Sequence, residues 1–365
     1  MKIIETVLED VKLEYLLDNI APLENVLFID IETTGLSPKS SYIYMIGAIY
    51  YKFQNFHLIQ WFSEDIDEEI NILENFNEFS ESYTHLVHYN GNQFDIPFLI
   101  TKFEYHNISN TLSNKVGIDI YKRILPYKRF LNLPNCKQKT VENFLEIARE
   151  DIYSGRELIS MYKEYMLNPS DSYLTKLSLH NAEDVLGLVK IMPILSYCDM
   201  IYGEFNVTKV NANTFLDNAN ISKQELIINI RLNSPVPFPI TYYYKRCYFS
   251  ANEYDAFIKV PIIQKELKFY YSNYSDYYYL PIEDVAIHKT VAVYVDSQNR
   301  IKATPSTCYT RKESSFLPQW EILVEPFFKE SYRSDTQYFE ITEELKKNRD
   351  FFRNYAIYIL EKMST

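Results

Sequence analysis

Apolar residues recur at roughly helical spacing over residues 3–19, which predicts an opening helix, with a linker at Ala21-Pro22. The pattern then shortens into strand-like runs. Residues 25–31, 42–53 and 56–62 read as three strands, the last two joined by a tight turn at Gln54-Asn55. Three adjacent strands predict an antiparallel meander. Residues 67–82 read as an amphipathic helix with acids in its first turn, where the helix dipole favours them. A short apolar strand follows at 84–89, then a helix after Asp95 with Pro97 tolerated in its first turn. Residues 116–120 read as a fifth strand, and helical patterns fill 140–197. This order predicts an α/β layered domain built on a five-stranded mixed sheet.

The texture changes after about residue 203. Residues 225–232, 241–249, 256–271 and 290–295 read as strands, with Pro235, Pro237 and Pro239 as interruptions. A final helix is predicted over 343–361, with Thr342 as its N-cap. The expected organisation is an α/β domain over 1–202, with its core at about 24–197, and a β-rich α+β region over 203–365.

Composition refines this picture only in places. Hydrophobic residues make up 47% of the 365, which supports a folded core. The four cysteines, Cys136, Cys198, Cys247 and Cys308, are far apart and predict neither a zinc site nor a disulfide framework. No signal-peptide pattern opens the chain, and no apolar run reads as a membrane span, so a cytoplasmic protein without a membrane partner is expected. The net charge of −12 argues at first against a nucleic-acid partner. Its distribution matters more. Residues 1–202 carry 17 basic and 29 acidic residues, whereas 203–365 carry 20 of each. The acidic excess lies wholly in the first region.

Part of that excess has a recognisable chemistry. In Leu27-Phe28-Ile29-Asp30-Ile31-Glu32-Thr33-Thr34-Gly35-Leu36, two carboxylates flank one apolar residue at the end of a strand. Residues i and i+2 of a strand share a face, so Asp30 and Glu32 emerge side by side. Such a pair calls for a divalent cation with a taste for oxygen ligands, Mg²⁺ or Mn²⁺. A second motif, His88-Tyr89-Asn90-Gly91-Asn92-Gln93-Phe94-Asp95-Ile96-Pro97-Phe98-Leu99, carries a strand into a helix that begins near Asp95. Alone, Asp95 reads more readily as a helix cap. The third is His180-Asn181-Ala182-Glu183-Asp184-Val185-Leu186-Gly187-Leu188, where His180 and Asp184 share one helical face. Alone, it reads more readily as a surface pair.

Taken in this order and on these elements, the three motifs resemble the DEDD (DnaQ-like) 3′–5′ exonucleases of the ribonuclease H-like superfamily. The chain is most similar to the YprB-type ribonuclease H-like domain, from Leu27 to about Leu188, including Gln60-Trp61-Phe62, Lys139-Thr140-Val141-Glu142 and Gly155-x-Glu157-Leu158-Ile159. The resemblance implies two divalent cations held by Asp30, Glu32, Asp95 and Asp184, hydrolysis at single-stranded DNA or RNA ends, and His180 as general base. One spacing departs from the pattern. His-type members place four residues between the His and the Asp, whereas three separate His180 from Asp184, as in the Tyr-type branch.

Substrate contacts are expected from Thr33, Thr34, Gly35 and Leu36 beside the first motif and from Asn90 and Phe94 in the second. Lys122, Arg123, Lys128 and Arg129, interleaved with Tyr121, Tyr127 and Phe130, suit phosphate contact and base stacking. The same stretch also reads as a solvated face. Asp119 and His88 read as structural. The aromatic run at 268–279 reads as a tyrosine-rich β core in preference to a single-strand platform. Two other functions fit the same residues: a catalytically inactive nucleic-acid-binding or adaptor protein, and a structure-selective endonuclease.

Overall fold

The computed structural model describes residues 1–17 and 20–364. They form two compact units, one chiefly Met1–Tyr202 with Ser234–Phe238, the other Gly203–Asn233 with Pro239–Met363. In chain order the first contains β1 (Lys2–Leu8), β2 (Val26–Thr33), β3 (Ile43–Lys52), β4 (Asn55–Phe62), α1 (Glu69–Ser80), β5 (His85–His88), α2 (Asp95–His106), β6 (Val116–Asp119), α3 (Ile120–Ile124), α4 (Gln138–Phe144), α5 (Gly155–Leu167), α6 (Asp171–Ile191) and α7 (Leu195–Tyr202). The sheet order is β1-β4-β3-β2-β5-β6. Strands β2, β3 and β4 form the expected antiparallel meander, and β5 and β6 run parallel to β2. This is a ribonuclease H-like mixed sheet with helices, of six strands where five were expected.

The sixth strand is β1. Residues 3–19 are not an opening helix: Lys2–Leu8 pairs antiparallel with β4, from Lys2 opposite Phe62 to Leu8 opposite Phe56. The β-branched Ile3, Ile4, Thr6 and Val7 suit a pleated edge, and a strand partner outweighs a short helical spacing. The end of that predicted helix, Asp18 and Asn19, lies outside the described residues. The β3–β4 turn falls one residue early, at Phe53 and Gln54, which hold φ of 50° and 64°.

Alternation along β2 sorts its residues between the two faces. Leu27, Ile29 and Ile31 pack with Ile72, Leu73 and Phe76 of α1 and Phe98, Leu99 and Phe103 of α2. Asp30 and Glu32 therefore take the other face, where α6 crosses β2 and β3. There Tyr44, Met45 and Phe62 pack with Leu158, Tyr162, Tyr165 and Leu177. The crossing is close because Gly47, opposite Asp30 in the register, has no side chain. A Cβ at Gly47 would lie 2.0 Å from Asn181 Oδ1. The helical stretch Asp171–Tyr202 is, against expectation, long and apolar enough to cross a membrane, but 78% of its apolar window is buried within the protein. It is a core element whose apolar faces meet the sheet and its neighbouring helices.

The second unit contains β7 (Phe205–Leu216), β8 (Ser222–Tyr244), β9 (Cys247–Tyr270), β10 (Tyr277–Leu280), β11 (Val285–His288), α8 (Lys289–Ala292), β12 (Ile301–Lys302), β13 (Tyr309–Gln319), β14 (Phe327–Phe328), β15 (Gln337–Glu340), α9 (Glu343–Lys346) and α10 (Arg349–Ser364). One sheet has the order β14-β15-β13-β9-β8-β7, a smaller one β11-β10-β12. Pro235, Pro237 and Pro239 do not interrupt a strand but lie within β8. Their spacing of two puts all three missing N–H groups on one side, and β7 pairs with β8 only as far as Leu232. Residues 290–295 are not a strand: Lys289–Ala292 is a helical turn capped by His288. The final helix is broken into α9 and α10, with Thr342 capping α9 through Leu345 N.

Candidate metal centre

Three elements meet at the end of β2. Asp30 and Glu32 come from β2, Asp95 from the first turn of α2, and His180 and Asp184 from α6. Asp95 Oδ1 accepts the Ile31 N–H at 3.3 Å, which ties it to the strand between the two acids. Asn181 Nδ2 donates to Asp30 Oδ2 at 3.1 Å, and Gln60 of β4 donates to Asn181 Oδ1 at 2.9 Å. The Tyr44 hydroxyl donates to Glu32 at 3.4 Å. His180 Nε2 lies 3.1 Å from Asp184 Oδ2 and 3.6 Å from Glu32 Oε1. Ligand atoms of Glu32, His180 and Asp184 lie within 4.8 Å of one another. All five sequence-derived candidates therefore share one locality.

Their charges are unevenly compensated. Burial, then the neighbouring charges of Asp184, Asp95 and Glu32, hold the Asp30 carboxyl well above the usual range. Burial likewise pushes Glu32 up to about 8 and Asp95 up to about 7. Asp184 goes the other way. Burial opposes its charge, but His180 and Arg149 outweigh burial and lower its pKa. Burial also opposes a charge on His180, and there Asp184, Glu32 and Asp151 win and lift it to about 9. Among the described residues Asp30 and Asp95 have no cationic partner and Glu32 has only His180, at 3.6 Å, and their oxygen donors fit a hard divalent cation.

Much of the surrounding network comes from residues no motif pointed to. The loop before α5 carries Arg149 and Asp151. Arg149 NH2 lies 2.6 Å from Asp184 Oδ1, and its NH1 donates to both oxygens of Glu142 at 3.1 Å. Asp151 Oδ2 meets His180 Nδ1 at 2.7 Å. Glu183, which had no expected role, accepts the backbone N–H groups of Glu150 and Asp151, each at 2.8 Å. Glu142 packs where Gly187 leaves room, since a Cβ there would lie 2.3 Å from Glu142 Oε1. Glu142 and Glu183 lay in quoted stretches; Arg149 and Asp151 did not. The loop has no periodicity, and its partners are some thirty residues downstream, so nothing local marks it.

The expected substrate residues divide. Thr33 Oγ1 donates to Gly35 O at 2.8 Å, and Thr34 Oγ1 accepts the Tyr42 N–H at 2.9 Å, so both hydroxyls serve their own loop. A Cβ on Gly35 would meet Ser41 Oγ at 2.6 Å, so its missing side chain serves packing in that loop. Leu36 is 86% exposed and free to wedge against a ligand. Asn90 holds φ of 59°, and its N–H, with those of Asn92 and Lys122, binds Asp119, confirming a structural Asp119. Phe94 precedes α2 and packs on the core. Lys122, Lys128 and Arg129 are exposed and Arg123 half-buried. Tyr127 and Phe130 are buried, so they are core residues and not stacking platforms. His88 is fully buried beside Asp119, as a core residue.

Residues 27–196 match the sequence model of the RNase_H superfamily. No curated protein matches the chain. Among solved structures, the family B DNA polymerase of the hyperthermophilic archaeon Pyrobaculum calidifontis shares 15% identity over 48% of this chain and 25% of its own, with a TM-score of 0.40. The chain thus spans about a quarter of that polymerase's length. Escherichia coli exonuclease I in complex with a dT13 oligonucleotide shares 10% identity over 93% of this chain and 71% of its own, with a TM-score of 0.34. The zinc-bound E. coli ExoI–ssDNA complex shares 11% over 92% and 70%, with a TM-score of 0.29. Sheet order and the family match together give residues 27–196 a ribonuclease H-like fold.

Proposed function

We propose that this protein is a divalent-metal-dependent 3′–5′ exonuclease that hydrolyses phosphodiester bonds at single-stranded nucleic-acid ends. One observation carries the reading: Asp30, Glu32 and Asp95, whose one cationic partner among the described residues is His180 beside Glu32, gather on the middle strand and adjoining helix of a ribonuclease H-like sheet, with their pKa values raised by burial. Asp30, Glu32, Asp95 and Asp184 would hold the Mg²⁺ or Mn²⁺ ions. Bound there, the ions would stabilise both the attacking and the leaving oxygen of an in-line displacement at phosphorus.

The protein's own groups account for the rest. Asn181 and Tyr44 fix the Asp30 and Glu32 carboxylates from outside the cluster. His180 presents Nε2 toward the same acids and is the group to take a proton from the attacking water. Asp184 first, then Glu32 and Asp151, lift its pKa to about 9 against burial, and cations bound among these acids would lower it toward that of a base. Exposed Lys122, Lys128 and Arg129 supply phosphate contacts.

The test is hydrolysis of end-labelled DNA and RNA oligonucleotides with Mn²⁺ or EDTA, beside Asp30→Ala. A ladder shortening from the 3′ end, dependent on Mn²⁺ and absent in Asp30→Ala, is expected. Failure to degrade any substrate overturns the enzyme, internal cuts favour an endonuclease, and activity surviving Asp30→Ala moves the site elsewhere. Arg149 and His180 already neutralise Asp184, which favours a second reading, a binding protein with an idle site. Oligonucleotide binding without hydrolysis would support it.

A further inference from the structure

The nitrogen that His180 turns toward the acids is decided by what holds its other nitrogen. Imidazole has two, on opposite sides of one ring, and a rotation of the ring by half a turn replaces them with carbons. His180 Nδ1 meets Asp151 Oδ2 at 2.7 Å, both side chains being buried, at 9% and 1% exposure. Nε2 then faces Asp184 and Glu32. Turning the ring would break all of these contacts and set a C–H against a buried carboxylate.

Asp151 is itself fixed. Its Oδ1 accepts the Tyr153 N–H at 3.1 Å. Its own N–H, with that of Glu150, is held by the Glu183 carboxylate from α6. The Tyr153 N–H and His180, then Lys139 Nζ at 3.2 Å, outweigh burial and hold the Asp151 carboxyl below the usual range, opposite to Asp30, Glu32 and Asp95. The loop is thus docked on the same helix that carries His180, one turn from the ring it steers.

Resting on the exonuclease reading for its catalytic consequence, we infer that Asp151 is a positioning residue for His180, holding the imidazole at Nδ1 so that Nε2 stands in the carboxylate cluster. This arrangement compensates the short His180–Asp184 spacing. The ring cannot take its direction from a longer helical offset, so a loop outside the three motifs supplies it. A carboxylate on the second nitrogen of a working histidine fixes both ring orientation and the tautomer available.

The test uses the full chain labelled with ¹⁵N-histidine, and wild type, Asp151→Ala and Asp151→Asn. Asn keeps an acceptor for Nδ1–H in nearly the same place. The expected spectrum shows one slowly exchanging imidazole N–H, identified by its loss in His180→Ala, lost in Asp151→Ala and kept in Asp151→Asn. In hydrolysis, Asp151→Ala lowers kcat by about 10–100-fold while KM for the oligonucleotide stays within about twofold, and Asp151→Asn recovers most of the rate. Thermal unfolding checks that each variant is folded. If Asp151→Ala does not fold, Asp151→Ser takes its place. The N–H signal persisting in the Ala or Ser variant overturns the proposal, as does a wild-type kcat in either. If the wild-type chain hydrolyses nothing, the exonuclease reading fails instead, and the imidazole signal alone decides whether Asp151 holds the ring.

Discussion

Two acidic centres in the first unit are opposites. At one, Glu69 accepts the Ile43 N–H at 2.8 Å and meets Lys102 Nζ at 3.1 Å and His106 Nε2 at 3.0 Å. Its side chain is 2% exposed and Lys102 5%. Every direction in which that carboxylate can accept is filled by the protein. At the other, Asp30, Glu32 and Asp95 face one another with few donors, and their protons are held far above the ordinary range. Burial is common to both, so burial alone says nothing of function. What separates them is whether the fold completes the charge or leaves it to a ligand.

The comparison breaks most readily at Glu69. Glu69→Ala leaves Lys102 buried without its partner, and the loss expected is about 3–5 kcal/mol, read from urea unfolding at pH 7. A loss below about 1 kcal/mol would show that Glu69 is no better completed than the Asp30 cluster. Next in size is the response to metal. Mn²⁺ at a hundredfold excess over its dissociation constant should stabilise the wild-type chain by about 2.7 kcal/mol, and should not stabilise an Asp30→Asn, Asp95→Asn double variant. Equal stabilisation of both would place the ion elsewhere. Without metal, Asp30→Asn should raise stability by about 1 kcal/mol, because it removes one of several mutually repelling charges. The same kind of change thus has opposite signs at the two centres.

A smaller effect sharpens the contrast from the second unit. There Asp284 is completed by hydroxyls: Tyr279 OH donates at 2.5 Å, with Tyr309 OH on the same oxygen. Those hydrogen bonds, Tyr279 first, lower its pKa. A lowered carboxyl stabilises the fold above its unfolded pKa of about 4 and loses that contribution as pH falls through the folded value. Tyr279→Phe should therefore cost stability at pH 6 and little at pH 2. A cost that does not change with pH would show that packing, not the charge, is what Tyr279 supplies.

How much of this was legible in sequence depends on whether the signal was local. Asp30 and Glu32 were found because a strand's period of two binds their fate to Ile29 and Ile31, which seek the core. Asp95 and Asp184 followed from motif order. The opening strand was missed because seven residues of mixed pattern fit two periods, and only the edge of β4 decides between them. The proline run in β8 was misread because nothing local says that β7 pairs with β8 only as far as Leu232. Asp151 and Arg149 were invisible for the same reason: their meaning lies in α6, which the chain has not yet made when it reaches them. Lys122 and Arg129 reach the surface as a solvated face would, while Tyr127 and Phe130 between them turn inward.

The contacts of α6 carry one more consequence. Four of its residues reach other parts of the unit: His180, Glu183 and Asp184 hold the loop of Arg149, Glu150 and Asp151, and Asn181 the strands through Asp30 and Gln60. Each residue added to a helix turns everything beyond it by about 100°. Inserting a single alanine between Asn181 and Glu183 would therefore swing one pair of contacts a quarter-turn and more away from the other, with every side chain still present. What this helix transmits is an angle, and the number of residues between its histidine and its aspartate is as much a part of the site as their identity.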